Sequence, residues 1–130
     1  PEAVMLLQAT SPVRRPDTLA RAVREFTETG VDSMVGVVPQ APFIWQATEP
    51  PTAAYDVDAR PRRQELTRET LRYRETGSLY LTRTEIYEQH DNRLGGRIGL
   101  FVMAEEEGID IDTELDVALA LRLLEDRTWH

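Results

Sequence analysis

An apolar run, an amphipathic stretch and a second apolar run open the chain, and this order restricts its possible folds more than any other feature. Val4 to Gln8 is short and almost wholly apolar, which is typical of a strand covered on both faces. Leu19, Val23 and Phe26 then recur at helical spacing, and Ser33 to Val38 forms the second run. Strand, helix and strand in this order predict a βαβ unit, and therefore an α/β fold with a mostly parallel sheet.

Further elements are predicted downstream from the same kinds of pattern. Two apolar runs predict strands, and two stretches with helical spacing predict helices. The strands are expected at Gly77–Thr82 and Ile98–Met103, and the helices after Thr84 (with Ile86 and Tyr87) and after Asp112 (with Leu115, Leu119 and Leu123 on one face).

The segment between residues 39 and 63 differs from the rest of the chain. It holds five of the eight prolines together with Phe43, Trp45 and Tyr55, of which Trp45 is interpreted as a packing residue. Prolines at this density predict an irregular excursion, and long irregular connections are usually functional. We therefore expect one α/β domain over residues 1–130 with an inserted region at about 39–97.

Charge and composition limit the possible partners. The chain has 130 residues and a net charge of -8, which disfavours binding to nucleic acid. No apolar run approaches the roughly 18 residues of a membrane span, and cysteine is absent, so a cytoplasmic location without membrane contact is expected. Arginines at 60, 62 and 63 form a local cluster, which favours a small anionic ligand over a polymer.

Asp110-Ile111-Asp112 is the sharpest local feature. In an extended segment the two carboxylates point the same way, and paired carboxylate oxygens suit Mg²⁺ bound together with substrate phosphates. The alternative is that Asp112 or Thr113 caps the following helix while Asp110 is solvated. Spacing alone leaves both interpretations open.

Two other segments carry candidate ligand-binding residues. Gln8 and Thr10 follow the first strand and precede a helix, where α/β sheets bind ligands, although an ordinary turn would have the same composition. Arg63 offers a guanidinium fork for a carboxylate or phosphate, or else belongs to a solvated loop paired with Glu65 and Glu69. His90 and His130 lack zinc-site spacing and are interpreted as surface residues, Trp129 as a packing residue, and Glu105–Glu107 as a solvated loop.

Taken in order, several segments resemble the acylneuraminate cytidylyltransferase family, whose best-known members are CMP-sialic acid synthetases. Each segment alone is weakly specific. Together, in this order and at this spacing over nearly the whole chain, they are strongly specific. The matching segments are LLQATSPVRRPDT (6–18), RPRRQEL (60–66), TGSLYLT (76–82), NRLGGRIGLFVM (92–103) and IDIDTELD (109–116).

The resemblance implies a Rossmann-like nucleotidyltransferase fold and a homodimer in which the inserted region, about residues 39–97, reaches the neighbouring site. It implies a reaction of CTP with a sialic-acid-like, nine-carbon sugar acid to give a CMP-sugar and pyrophosphate, with Mg²⁺ as cofactor. By the family pattern Asp110 and Asp112 are catalytic and hold the metal, while Gln8, Thr10, Arg63, Tyr80 and Thr76 bind the substrate.

Two departures from the family pattern bear on function. Thr76 stands where the family usually has Asn, which bears on the choice of sugar. The Gly- and Lys-containing phosphate loop with which members begin has no counterpart here, so the fold is expected to be N-terminally truncated and the isolated chain inactive. Related acids, of pseudaminic or legionaminic type, stay open as substrates. A non-catalytic dimerisation or regulatory module of the same fold is the alternative.

Overall fold

The computed structural model describes residues 1–126, so the interpretations of Trp129 and His130 lie outside the described residues. Six strands and three helices alternate with irregular segments and two short 3₁₀ turns in this part of the chain. The bounds are β1 Ala3–Leu7, α1 Thr18–Thr29, β2 Ser33–Gln40, β3 Trp45–Gln46, β4 Thr52–Ala53, β5 Arg72–Arg83, α2 Thr84–His90, β6 Ile98–Val102 and α3 Glu114–Glu125.

The described chain forms two compact units. The first comprises residues 1–38 and 75–126 and contains the four-stranded sheet, in the order β1-β5-β2-β6. The second comprises residues 39–74 and contains the two-stranded sheet of β3 and β4. It begins where the inserted region was predicted to begin and ends at Arg74, while the predicted extent of that region to residue 97 stays a prediction.

The α/β class is confirmed, but the prediction of a mostly parallel sheet is wrong. Only β2 and β6 form a parallel pair, and β5 runs antiparallel to β1. The predicted βαβ unit is present in order, but its two strands are separated in the sheet because β5 lies between them. An apolar run identifies a strand without giving its direction, and β5 enters the sheet after a long irregular segment that carries no crossover helix.

One face of the four-stranded sheet holds the core of the first unit. Strand β5 contributes Leu79 and Leu81, while Phe101 of β6 is completely buried. Helix α1 covers this face with Ala22 and Phe26, and the guanidinium of Arg21 lies 4.4 Å from the centre of the Phe101 ring. Helical periodicity therefore predicted the position of α1 correctly.

The periodicity was less accurate about which residues each helix buries. Leu19 and Val23 are exposed, and α1 instead buries Thr18, Ala22 and Phe26 at intervals of four residues. In α3 the predicted apolar face is likewise wrong, because Leu115 is 77% exposed and Ala120 is the buried residue. Small residues at the contact let a helix approach its neighbour closely, and a search for large apolar residues does not find them.

We predict that Leu79→Ala lowers the free energy of unfolding by roughly 2–5 kcal/mol, because it opens a cavity at the centre of the core. Leu119→Ala, at a position that is 49% exposed in α3, is the matched control and is expected to change it by less than about 0.5 kcal/mol. Urea denaturation followed by circular dichroism measures both. Equal losses in the two variants would contradict the assignment of the core.

Candidate functional site

The turn after β1 is fixed against β5 by hydrogen bonds. The Arg14 guanidinium donates to the Ser78 hydroxyl at 3.0 Å, to the Ser78 carbonyl at 3.0 Å and to the Gln8 carbonyl at 3.1 Å. The Ser11 hydroxyl donates to the Thr76 carbonyl at 3.1 Å. Burial lowers the pKa of Arg14, while the charge of Glu107 acts in the opposite direction. Arg14 therefore braces the turn that carries Gln8.

The absence of a side chain at Gly77 leaves room for the Gln8 side chain. Gly77 has a φ of +73°, and a Cβ atom built there would lie 2.8 Å from Oε1 of Gln8. No other residue type combines this backbone conformation with so close an approach at little cost. The sequence-predicted residue Gln8 therefore lies directly over β5, next to Ser11.

The Thr76 side chain is used inside the fold. Its hydroxyl donates to the Gly36 carbonyl at 3.1 Å and accepts from the Ser78 amide at 3.1 Å. Thr76 is only 2% exposed. A hydroxyl engaged in this way ties β5 to β2, so the geometry favours a structural role over the expected contact with a sugar.

The Asp110 segment meets the turn after β1 through a backbone hydrogen bond. The amide of Ile111 donates to the carbonyl of Thr10 at 2.8 Å. This bond brings Thr10 and Asp110 together although 100 residues separate them in the sequence. The Asp110 carboxylate is half-buried, and among the described residues its Oδ1 atom is the buried side-chain oxygen without a hydrogen-bond partner.

Thr113, and not Asp112, caps the following helix. The Thr113 hydroxyl accepts from the Asp116 amide at 3.2 Å, and the Asp116 carboxylate accepts from the amides of Asp112 and Thr113 at 3.0 Å each. This reciprocal arrangement is a capping box. The predicted helix cap is therefore confirmed for Thr113 and wrong for Asp112, whose carboxylate is exposed.

The carboxylate oxygens of Asp110 and Asp112 would suit a metal ion whose remaining ligands come from the substrate and from water. A buried carboxylate oxygen without a partner carries a free-energy cost that a cation would relieve. No cluster of three or more His, Cys, Asp or Glu side chains suited to a metal occurs within residues 1–126. Two carboxylates completed by water and phosphate oxygens suit Mg²⁺ better than zinc or calcium.

Tyr80 lies on β5 and is 3% exposed. Its hydroxyl donates to Glu75 at 3.3 Å, and the Arg93 guanidinium lies 4.5 Å from the centre of its ring. Burial, and next the charge of Glu75, raise the pKa of Tyr80. Tyr80 is thus a neutral phenol below an exposed arginine.

Arg63 belongs to the second unit and is exposed. There the Phe43 and Tyr55 rings meet edge to face with their centres 5.2 Å apart, and the Arg60 guanidinium lies 3.7 Å from the centre of the Phe43 ring. Arg63 approaches the same ring at 6.0 Å. The interpretation of Trp45 as a packing residue is only partly correct, since it meets Tyr55 edge to face but is 57% exposed.

Sequence reasoning missed Glu107. The run Glu105–Glu107 was interpreted as a solvated loop, and this is wrong for Glu107, which is completely buried. Its three hydrogen-bond partners are distant or backbone groups, so no local pattern marks it out. His90, by contrast, is exposed as predicted.

We predict that Gly77→Ala destabilises the protein more than Gly30→Ala does. Both glycines have positive φ, +73° and +66°, so both substitutions carry the left-handed backbone penalty of about 1–2 kcal/mol. A Cβ at Gly30 meets nothing within 4 Å, whereas one at Gly77 meets Gln8. Urea denaturation gives the difference, and the NMR signals of the Gln8 side-chain amide should shift in Gly77→Ala alone. Identical behaviour of the two variants would rule out the close approach.

A second prediction concerns how the stability contributed by Asp116 depends on pH. Hydrogen bonds from the backbone of Asp112 and from Thr113 lower the pKa of Asp116 below its ordinary value of 3.8. The carboxylate therefore adds stability above its unfolded pKa, and this contribution is lost as pH falls through the lower folded value. Wild type should be more stable than Asp116→Asn near neutral pH, and the difference in unfolding free energy should shrink below about pH 3.8. A difference that persists unchanged in strong acid would contradict this.

The chain is similar to curated vertebrate proteins. It is 33% identical to N-acylneuraminate cytidylyltransferase A of Danio rerio over 127 residues, which is 92% of this chain and 28% of that protein. It is 30% identical to N-acylneuraminate cytidylyltransferase B of the same fish over 125 residues, covering 92% and 29%. For N-acylneuraminate cytidylyltransferase of Oncorhynchus mykiss the identity is 32% over 127 residues, covering 92% and 28%.

The chain thus spans between a quarter and a third of the length of these relatives, 28–29%. No protein-family model matches it. In the part of the chain that the structure describes, no helix has both the length and the apolar character needed to cross a membrane.

Proposed function

The chain belongs to the N-acylneuraminate cytidylyltransferase family, and from this premise we propose that it carries part of the catalytic site of such an enzyme. The substrates would be CTP and a nine-carbon sugar acid of the sialic-acid type, and the products a CMP-sugar and pyrophosphate. One observation carries the proposal. The hydrogen bond between Ile111 and Thr10 brings a carboxylate with an unpaired buried oxygen to the turn after β1.

The reaction would be a direct displacement at phosphorus. The anomeric hydroxyl oxygen of the sugar acid bonds to the α-phosphorus of CTP, and the bond from that phosphorus to the oxygen bridging it to the β-phosphate breaks. Pyrophosphate leaves, and the hydroxyl proton passes to solvent or to a nearby base. Catalysis of this kind consists mainly of positioning and charge neutralisation, which needs no covalent nucleophile.

Asp110 and Asp112 would hold Mg²⁺. Bound there, the metal would supply positive charge to the phosphate oxygens and lower the pKa of a hydroxyl bound to it. The capping box leaves the Asp112 carboxylate out of the helix cap, and the bond from Ile111 to Thr10 holds the backbone between the two aspartates beside the turn. Asp110 and Asp112 would therefore determine where the metal ion binds the phosphate groups of the substrate.

The sugar would lie against the turn and β5. Gln8, whose side-chain amide is seated over Gly77, can donate and accept hydrogen bonds with sugar hydroxyl groups. Thr10 lines the same turn, and Tyr80, which is 3% exposed beside Arg93, would support the site from within the fold. The Thr76 hydroxyl bonds the Gly36 carbonyl and the Ser78 amide. Thr76 would therefore hold β5, and with it Gly77, in position and would not contact the sugar.

Arg63 and the inserted region would act in a homodimer. Arg63 is exposed and would meet an anionic group, such as the carboxylate of the sugar acid. The aromatic and arginine-rich second unit would be the part that reaches the neighbouring subunit's site. A dimer of this kind does not depend on membrane or nucleic-acid contact.

Pyrophosphate release from CTP tests the proposal. With Mg²⁺ and sialic acid, the whole protein that carries this chain should release pyrophosphate, whereas residues 1–130 alone should not. Metal removal by EDTA should abolish the release until Mg²⁺ is added back. Asp110→Asn and Asp112→Asn should each lower kcat/KM by at least about 10²-fold, because charge neutralisation by a metal is worth several kcal/mol.

Asp17→Asn is the matched control, since Asp17 is exposed and makes no side-chain cap hydrogen bond. It should leave kcat/KM unchanged. A stable dimer that binds no CTP in Mg²⁺ would instead favour the non-catalytic module. Release that depends on another nine-carbon acid would keep the chemistry and change the substrate.

A further inference from the structure

Glu107 is a completely buried carboxylate whose oxygens are both occupied. Oε1 accepts from the Ala104 amide at 3.1 Å, and Oε2 accepts from the Arg15 amide at 3.1 Å and the Thr18 hydroxyl at 2.5 Å. Burying a charge is costly unless hydrogen bonds replace its hydration. A carboxylate satisfied from three directions therefore holds the groups around it in one arrangement.

Two of the three partners of Glu107, the Arg15 amide and the Thr18 hydroxyl, lie just before α1 and at its first residue. Asp17 precedes that helix without forming a side-chain cap, and no acidic residue lies in its first turn. Glu107 supplies from a distant segment the negative charge that a helix N-terminus favours. The Arg15 guanidinium also pairs with Glu106 on the same 3₁₀ turn. The segment before Asp110 is thus fastened to the chain that follows the β1 turn.

A second attachment lies just beyond Asp110. The Ile111 amide donates to the Thr10 carbonyl at 2.8 Å. Between Glu107 and Ile111 the chain has only residues 108–110, too few to let Asp110 change its position while both attachments hold. The place of Asp110 is therefore set from both sides, and Glu107 is the attachment made by a side chain.

We propose that Glu107 is a positioning residue for the metal-binding carboxylates, holding Asp110 and Asp112 beside the turn of Gln8–Thr10. The proposal rests on the proposed function, because it takes Asp110 and Asp112 as the ligands of Mg²⁺. Glu107 itself touches neither metal nor substrate. It acts through the backbone that joins it to Asp110.

Glu107→Gln changes this attachment with almost no change in shape. Whichever way the amide turns, its NH₂ group faces backbone N–H donors, those of Arg15 or Ala104, and a hydrogen bond is replaced by a repulsive contact. Loss of partners that orient metal ligands typically weakens metal affinity about 10- to 100-fold. We expect the dissociation constant for Mn²⁺ to rise by at least about tenfold.

The test measures Mn²⁺ binding by electron paramagnetic resonance in the presence of CTP, on variants of the whole protein whose folded state is verified by circular dichroism. Glu105→Gln is the matched control, since Glu105 lies on the same turn but is exposed, and it should keep the wild-type affinity. Asp110→Asn should lose binding. Amide hydrogen exchange should quicken at Ile111 in Glu107→Gln but not at Met103, whose amide bonds the Val37 carbonyl.

A second pair of variants serves if Glu107→Gln does not fold. Thr18→Val removes the hydroxyl that donates to Glu107 at nearly constant volume, and Thr18→Ser restores it. Thr18→Val should weaken Mn²⁺ binding, and Thr18→Ser should bind as wild type does. A general loss of stability would not produce this difference between two folded proteins.

The outcomes separate the two proposals. If wild type and Glu105→Gln bind Mn²⁺ and folded Glu107→Gln binds it equally well, the positioning role is overturned while the metal assignment stands. If wild type binds no Mn²⁺ with CTP present, the proposed function fails and the positioning role fails with it. Weaker binding in Glu107→Gln and Thr18→Val alone supports the positioning role.

Discussion

The antiparallel pairing of β1 with β5 sets the position of everything else in the candidate site. Its register places Leu7 opposite Leu79, so the chain leaves β1 exactly where β5 carries Ser78, Gly77 and Thr76. A shift of one residue would turn every side chain of β5 to the other face. Leu79 and Leu81 must face the core, and this requirement fixes the register. The place of Gln8 over Gly77 therefore follows from core packing.

The sequence predicts those parts of the fold that depend on local patterns. Apolar runs identified β1, β2, β5 and β6, and helical spacing identified α1 and α3, because burial of one face leaves a periodic trace. The direction of β5 leaves no such trace. Ala22 was placed on the apolar face of α1, as the structure has it, whereas the burial of Ala120 in α3 was not predicted because the larger leucines of that helix dominated the pattern.

The candidate site also has parts that the sequence predicts and parts that it does not. Gln8, Thr10 and Asp110 could be selected from residue type and from their places at the ends of predicted strands. The hydrogen bond between Thr10 and Ile111 could not be predicted from the sequence, because it joins backbone groups that nearly every residue has. Glu107 was indistinguishable from Glu105 and Glu106 in the sequence, although Glu107 is completely buried, Glu106 is half-buried and Glu105 is exposed. What sequence reasoning lacks here is the long-range partner of each polar group.

The three acidic groups at 107, 110 and 112 show how the fold assigns different roles to one residue type. The Glu107 carboxylate has hydrogen bonds from three donors, so its charge is balanced within the fold. Asp112 is exposed and stays hydrated. Asp110 has one buried oxygen, Oδ1, that accepts no hydrogen bond from the described residues.

Glu107, three residues before Asp110, has three hydrogen bonds, whereas Oδ1 of Asp110 has none among the described residues. The backbone that carries Asp110 is attached on both sides, through Glu107 and through the bond from Ile111 to Thr10. A rigidly held, unsatisfied carboxylate oxygen is an arrangement suited to a cation that arrives with the substrate. The attachment through Glu107 and the unpaired oxygen of Asp110 would then serve the same proposed metal site, the first by fixing the backbone and the second by supplying a ligand.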